Sequence, residues 1–130
     1  MSDNFKLEII SPEKTIFSGE VANVTLPSYE GNMGILKNHI STITFLRPGI
    51  IKVNNGENFK EFFVQDGTVE FFNNILVVLS ETAVDVKSLT RDLLENLSKE
   101  TKNKLDSKDI SDQDRYILNH KLDVIKEITV

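Results

Sequence analysis

Lys87-Ser88-Leu89-Thr90-Arg91-Asp92-Leu93-Leu94-Glu95-Asn96-Leu97 is where the spacing of apolar residues changes along this chain. Leu89, Leu93 and Leu97 recur every four positions, with Leu94 beside the stripe and polar or charged residues between them. That period predicts an amphipathic helix of about four turns, ending near Leu105. Toward the C-terminus, Asp106 to Ile110 is short and polar, and Ser111-Asp112-Gln113-Asp114 has the form of a capping box. A second helix to about Ile128 follows, with Ile117, Leu118, Leu122, Val124, Ile125 and Ile128 on one apolar arc. A short link between two helices predicts an antiparallel hairpin over 87–130.

Toward the N-terminus the period is two. Phe5-Lys6-Leu7-Glu8-Ile9 alternates apolar and polar, the pattern of a half-buried strand. Ser11-Pro12-Glu13-Lys14 reads as a turn. Further strands fit Ile16–Phe17, Glu20–Leu26, Ser41–Leu46, Ile50–Val53, Lys60–Val64, Thr68–Phe72 and Ile75–Ser80. Asn54-Asn55-Gly56-Glu57 is a strong hairpin signal, because Asn-Gly suits the positive φ of a type I′ turn. Asn73-Asn74 is a weaker one. The pairs Phe62-Phe63 and Phe71-Phe72 put rings on both sides of their strands, either buried or facing a partner. The expectation is α+β: an N-terminal antiparallel β-sandwich over 1–86, then a C-terminal antiparallel two-helix hairpin over 87–130.

Burying each large apolar side chain of the hairpin contributes roughly 1.5–3 kcal/mol. Ordering its backbone costs roughly 1–2 kcal/mol per residue. The hairpin must lean on the β domain or on a partner, which makes it a candidate mobile element.

Composition narrows the function. The chain has 130 residues and a net charge of −5, and it contains no cysteine. Thiol catalysis, disulfides and thiolate metal sites are therefore excluded. Residues 1–86 carry 6 Lys+Arg against 11 Asp+Glu, and residues 87–130 carry 9 of each. Neither half offers the basic field that nucleic acid or an anionic membrane surface needs. No apolar run approaches the roughly 20 residues that span a bilayer. Met1-Ser2-Asp3-Asn4 lacks the basic and apolar regions of a signal peptide.

Glu30-Gly31-Asn32-Met33-Gly34-Ile35-Leu36 reads as a sharp bend. Two glycines admit unusual backbone, and Met33, Ile35 and Leu36 are presented beyond it. The stretch holds a lone carboxylate and no catalytic set, which is the character of a docking surface. The histidines, His39 and His120, have no nucleophile pattern near them in sequence. His39 is expected in a buried or interfacial hydrogen-bonding role and His120 in solvent. Asp66-Gly67 is expected to be a turn or bulge rather than a metal ligand. No phosphate-cradling glycine-rich loop precedes a helix.

In order and spacing these motifs resemble the epsilon-subunit family of bacterial F-type ATP synthases, equivalent to the mitochondrial delta subunit. Leu7-Glu8-Ile9-Ile10-Ser11-Pro12-Glu13, Phe17-Ser18-Gly19 and Val24-Thr25-Leu26-Pro27 match its opening. Glu30-Gly31, Gly34-Ile35-Leu36 and His39 follow the family's Glu-Gly-x-x-Gly-x-x-x-x-His pattern. Pro48-Gly49, Val64 to Glu70 around Gly67, and Val77-Val78-Leu79-Ser80-Glu81-Thr82-Ala83 complete the likeness. The resemblance implies a sandwich of about ten strands that packs on the gamma subunit of the rotating central stalk and sits on the c-ring. It implies a non-catalytic role, coupling proton-driven ring rotation to ATP synthesis in the catalytic head, at the cytoplasmic face of the bacterial inner membrane. The residues it assigns to stalk and ring contact are Glu30, Asn32, Met33, Ile35, Leu36 and His39. It also implies that the hairpin, when extended toward the alpha/beta head, restrains ATP hydrolysis, with Lys99, Lys102, Lys104 and Lys108 as contacts to an acidic loop of the head.

Three departures stand out. Asn32 takes the place of a frequent acidic residue, leaving Glu30 alone for electrostatic contact with the ring. Leu36-Lys37-Asn38-His39-Ile40-Ser41 lacks the family's prolines and is expected to be less rigid. Some members bind ATP at the hairpin through Ile/Leu-Asp-x-x-Arg; here Arg91 remains but the Asp is Ser88, so no cofactor is expected. The competing readings are a free-standing nucleotide-sensing regulatory module and an enzyme on a β-sandwich.

Overall fold

The computed structural model describes residues 3–128. Of the stretches read above, Met1 and Ser2 at one end and Thr129 and Val130 at the other lie outside it. The chain divides into two compact units between Asp85 and Val86.

The first unit has ten strands: β1 (Phe5–Ile10), β2 (Thr15–Val21), β3 (Asn23–Ser28), β4 (Gly31–Leu36), β5 (Thr42–Leu46), β6 (Gly49–Asn54), β7 (Phe59–Val64), β8 (Gly67–Phe72), β9 (Ile75–Leu79) and β10 (Val84–Asp85). They form one hydrogen-bonded path, β10-β7-β6-β3-β5-β8-β9-β1-β2, with β4 on β3. The path folds at its middle, where β3 and β5 share the single pair Ser28↔Leu46. Two layers result: β10-β7-β6-β3-β4 and β5-β8-β9-β1-β2. Pairing is antiparallel except for β1 beside β9, which is parallel.

Alternation explains the core. Leu7 and Ile9 of β1, Val69 and Phe71 of β8, and Leu76 and Val78 of β9 point inward and are buried. The other layer answers with Val24 and Leu26, Ile51 and Val53, and Phe62 and Val64. Phe71 meets Phe5 edge-on at 5.6 Å, and Phe62 meets Phe17 likewise at 5.9 Å, the arrangement that ring quadrupoles favour. Both rings of Phe62-Phe63 are buried, whereas Phe71-Phe72 splits into one buried and one exposed ring.

The turns reverse the order of the sequence signals. Asn73 and Asn74 have φ of 51° and 60°, and Phe72 pairs with Ile75 around them. This is the two-residue I′-type turn, since both central residues are left-handed. Asn54–Gly56 does make a hairpin, but through a longer loop from Asn55 to Asn58. Asn55 Oδ1 accepts from the Asn58 and Glu57 amides at 2.8 and 3.2 Å, and Asn54 Oδ1 accepts from the Gly56 amide at 2.8 Å. Side-chain carbonyls thus do the work that a tight turn would have done.

Three further corrections concern strands. The single stretch 20–26 is two strands, because the chain leaves the β1 layer at Val21 and enters the other layer at Asn23. The bend expected over 30–36 is confined to Tyr29-Glu30; β4 starts at Gly31, whose φ is 121°. Gly34 has ordinary strand backbone and open space around it. Within β4, Ile35 is fully buried, so this residue assigned to partner contact is core, while Met33 is partly buried against the core.

The second unit has a 3-10 turn (Val86–Ser88), α1 (Arg91–Leu105) and α2 (Asp112–Glu127), which pack on each other. Thr90 caps α1 by accepting from the Leu93 amide at 3.2 Å, so Leu89 precedes the helix. The buried stripe of α1 runs through Leu94 and Thr101, with Leu93 half exposed. Thr101 Oγ1 donates to the Leu97 carbonyl at 2.6 Å, which satisfies its hydroxyl. Ser111 caps α2 by accepting from the Asp114 amide at 3.1 Å, the serine half of the capping-box reading. Arg115 Nη1 of α2 donates to the Leu105 carbonyl at the end of α1, 3.2 Å away. His120 is partly buried rather than solvated.

Ile35→Ala should lower unfolding free energy by about 2–5 kcal/mol, the cost of a core cavity. Leu36→Ala beside it should change it by less than about 0.5 kcal/mol. Urea denaturation separates the two, and equal effects would contradict the register of β4. Asn73→Ala should cost about 1–2 kcal/mol because of its left-handed φ, while Asn73→Gly should be near neutral in the same assay.

Candidate functional site

One outer face of the sandwich is apolar where water would ordinarily meet polar side chains. The registers align its residues in rows across β5, β8, β9 and β1. One row is Ile43, Glu70, Val77 and Glu8; the next is Phe45, Thr68, Leu79 and Ile10; a third holds Phe72, Ile75 and Lys6. Ile43 is 76% exposed, Phe45 58% and Phe72 57%. Ile75 and Leu79 are exposed as well. Single exposed apolar residues are ordinary, but a contiguous set of this kind marks an interaction site.

The layer that carries this face has apolar residues on both sides, with Lys6, Glu8, Thr68 and Glu70 among the outward ones. Its inward residues fill the sandwich core, and its outward residues have no such neighbour. A signal for this was present in the sequence. Ile75-Leu76-Val77-Val78-Leu79 is a continuous apolar run, the pattern of a strand covered on both faces. In β5 the alternation is inverted: Thr44 is buried while Ile43 and Phe45 point out.

At one end the face opens into a cleft of about 810 Å³ lined by Ile10, Ser11, Pro12, Tyr29, Phe45 and Leu79, with Gly67 and Ser80 beside them. Its polar wall is internally satisfied. Ser80 Oγ donates to the Asp66 carbonyl at 2.8 Å, and Thr82 Oγ1 donates to Asp66 Oδ1 at 3.3 Å. The Thr82 hydroxyl also accepts from the Gln65 amide at 2.9 Å. Asp66-Gly67 is thus a turn held by its neighbours. Among the described residues no group of three or more His, Asp or Glu is placed to hold a metal.

The residues assigned to partner contact do not form one cluster. Glu30 is exposed in the β3–β4 turn, where Ser28 Oγ donates to the Gly31 carbonyl at 2.7 Å and accepts from the Glu30 amide at 3.2 Å. This turn is beside the cleft, which Tyr29 lines. His39 lies beyond the other end of β4, on the order of 20 Å away along the strand. Its ring stands edge-on to Phe71 at 5.8 Å, and Nδ1 is 2.8 Å from the Ile40 carbonyl. His39 is partly buried. Asn32 and Leu36 are exposed along β4 between these ends. Glu30 and His39 bracket the apolar face, and the residues composing that face lay outside the sequence assignment.

The proline-free loop after β4 is tied by polar bonds instead. Asn38, at φ 68°, donates its amide to Asn74 Oδ1 at 2.7 Å, and Asn74 Nδ2 donates back to Asn38 Oδ1 at 3.2 Å. His39 N donates to the Leu36 carbonyl at 3.0 Å.

In the helical unit Lys99, Lys102, Lys104 and Lys108 are all exposed. At roughly 100° per residue, Lys99 and Lys102 share a face of α1 and Lys104 lies on another. Lys108 sits in the interhelical link. Lys104 instead borders a cleft of about 360 Å³ with Ile110, Ile117 and Leu118. Ser88 lies in the 3-10 turn and Arg91 is the exposed first residue of α1. Among the described residues no helix is long and apolar enough to cross a membrane.

A family model described as the beta-sandwich domain of the ATP synthase delta/epsilon chain matches residues 4–86. The ATP synthase epsilon chain of Pelagibacter ubique is 43% identical over 129 residues, covering 98% of this chain and 99% of that one. The mitochondrial ATP synthase subunit delta of Saccharomyces cerevisiae is 36% identical over 111 residues, covering 83% of this chain and 69% of that one. Among solved structures, a chain of the Euglena gracilis mitochondrial ATP synthase OSCP/F1/c-ring assembly superposes with a TM-score of 0.75 at 21% identity, covering 97% of this chain and 79% of that one. A chain of the Tetrahymena thermophila mitochondrial ATP synthase central stalk and c-ring gives 0.68 at 14% identity, covering 96% of each. At those identities the two structures speak for the fold. The match over residues 4–86 and the near full-length relatives together place this chain in the ATP synthase delta/epsilon family.

Proposed function

We propose that this chain is a non-catalytic subunit of the rotating central stalk of an F-type ATP synthase. The observation that carries the proposal is the apolar outer face of β5-β8-β9-β1. A sheet with apolar residues on both sides needs two apolar partners, and the sandwich core supplies one. The second is the gamma subunit, the stalk component against which members of this family pack. The Tyr29-Glu30 turn beside the cleft is the contact to the polar loops of the c-ring. The chain then acts as a rigid coupling that passes ion-driven ring rotation to the catalytic head, on the cytoplasmic side of the membrane. Catalysis belongs to other subunits in this reading.

The hairpin is the regulatory part. Extended toward the alpha/beta head, it restrains ATP hydrolysis through lysines that meet an acidic loop. The split of these lysines over two faces of α1 favours Lys99 and Lys102 as the pair acting together. A free-standing nucleotide sensor remains the alternative of a different class; Ser88 in place of an acidic residue speaks against it.

Co-expression with the gamma subunit of the same cell should yield a stable pair. Ile43→Asp and Phe45→Asp should each abolish co-purification while leaving the thermal midpoint of the isolated chain nearly unchanged, since both side chains are exposed. Retention of the pair by both variants would remove the apolar face from the reading. Replacing Lys99 and Lys102 by alanine should raise ATPase activity of the assembled complex several-fold, and Lys104→Ala should raise it less. Unchanged hydrolysis in all of them would refute the contact with the head.

A further inference from the structure

Glu70 stands in the middle of the apolar face, and no described residue forms an ion pair with it. Its row neighbours are Ile43 and Val77, and Thr68 and Phe72 flank it on its own strand face. It is exposed, and among the described residues its carboxylate takes part in no ion pair or side-chain hydrogen bond. Glu8 in the same row differs: Lys6 Nζ is 3.0 Å from its carboxylate. The face therefore carries one uncompensated negative charge inside an apolar surround.

A partner that covers the face strips Glu70 of water. A carboxylate covered without a counter-charge carries a desolvation cost that opposes docking. The carboxylate is compatible with a covered face only if the partner neutralises it. We infer that the subunit seated on this face presents a single cationic side chain, an arginine, between Ile43 and Val77, and that its pairing with Glu70 sets the register of docking. Arginine suits the position better than lysine, because its planar guanidinium is weakly hydrated and matches a carboxylate with two parallel hydrogen bonds. The cation also selects the partner, since an apolar surface lacking it leaves Glu70 unpaired.

This inference rests on the docking reading, and affinity for the co-expressed gamma subunit tests the two separately. Glu70→Leu extends the apolar face and removes the charge. With an arginine opposite, it should weaken binding by tenfold or more and flatten the dependence of affinity on ionic strength. Glu70→Gln should weaken binding less. If Glu70→Leu binds as tightly as or more tightly than the parent chain, Glu70 is unpaired in the complex and the inference falls. If Ile43→Asp and Phe45→Asp both bind normally, the face itself is not the docking surface, and the inference falls for that separate reason.

Discussion

A β-strand has two faces, and each must find its own medium. In the layer β5-β8-β9-β1-β2 the inward face meets the core, through Leu7, Ile9, Val69, Phe71, Leu76 and Val78. The outward face bears Ile43, Phe45, Phe72, Ile75 and Leu79, which water solvates poorly. The first face supplies stability, and in the proposed function the second supplies adhesion. The same period-two geometry that closes the sandwich thus leaves an apolar surface that calls for a partner. The turn at Tyr29-Glu30 and the loop at His39 bound this surface at its two ends.

The devices that hold those ends are polar and local. Ser28 ties the β3–β4 turn, the Asn38–Asn74 pair ties the loop carrying His39, and Asp66, Ser80 and Thr82 close the wall of the cleft. Each uses a short side chain to satisfy backbone groups that no ladder reaches. The loop after β4 does not need proline for its shape, because a residue far off in sequence supplies the restraint. Such pairings order these ends in the free chain, which lowers the entropy cost of any docking there.

Much of the fold was legible along the chain. Strong alternation in β1 and the serine cap of α2 are local features, and local features survive folding; the leucine spacing after Lys87 marked a helix but not its buried side, since Leu89 precedes α1 and Leu93 is half exposed. Other readings failed for specific reasons. Asn54–Gly56 had the composition of a tight turn, but the side chains of Asn54 and Asn55 capture backbone amides and stabilise a longer loop. Asn73-Asn74 looked weaker and makes the tight turn, because asparagine tolerates left-handed backbone almost as glycine does. Glu30–Leu36 was read as a bend on the strength of two glycines, yet only Gly31 needs its conformational freedom. Ile35 was assigned to an interface and is core, because period two turns it inward.

What the sequence by itself determined is periodicity: a β unit and then a helical one, with no cysteine chemistry and no basic field for nucleic acid. Its motif order also identified the family. Which apolar residues are hidden and which are offered was decided only by tertiary structure. The pairing partners of each strand and the corner at Ser28↔Leu46 determine which side of each strand faces the other layer. A run such as Ile75–Leu79 contains both kinds of residue and does not label them. The alignment of Ile43, Phe45, Phe72 and Leu79 on one surface, with Glu70 among them, exists only when β5, β8 and β9 lie side by side, and pairing between segments so far apart is a property of the folded chain.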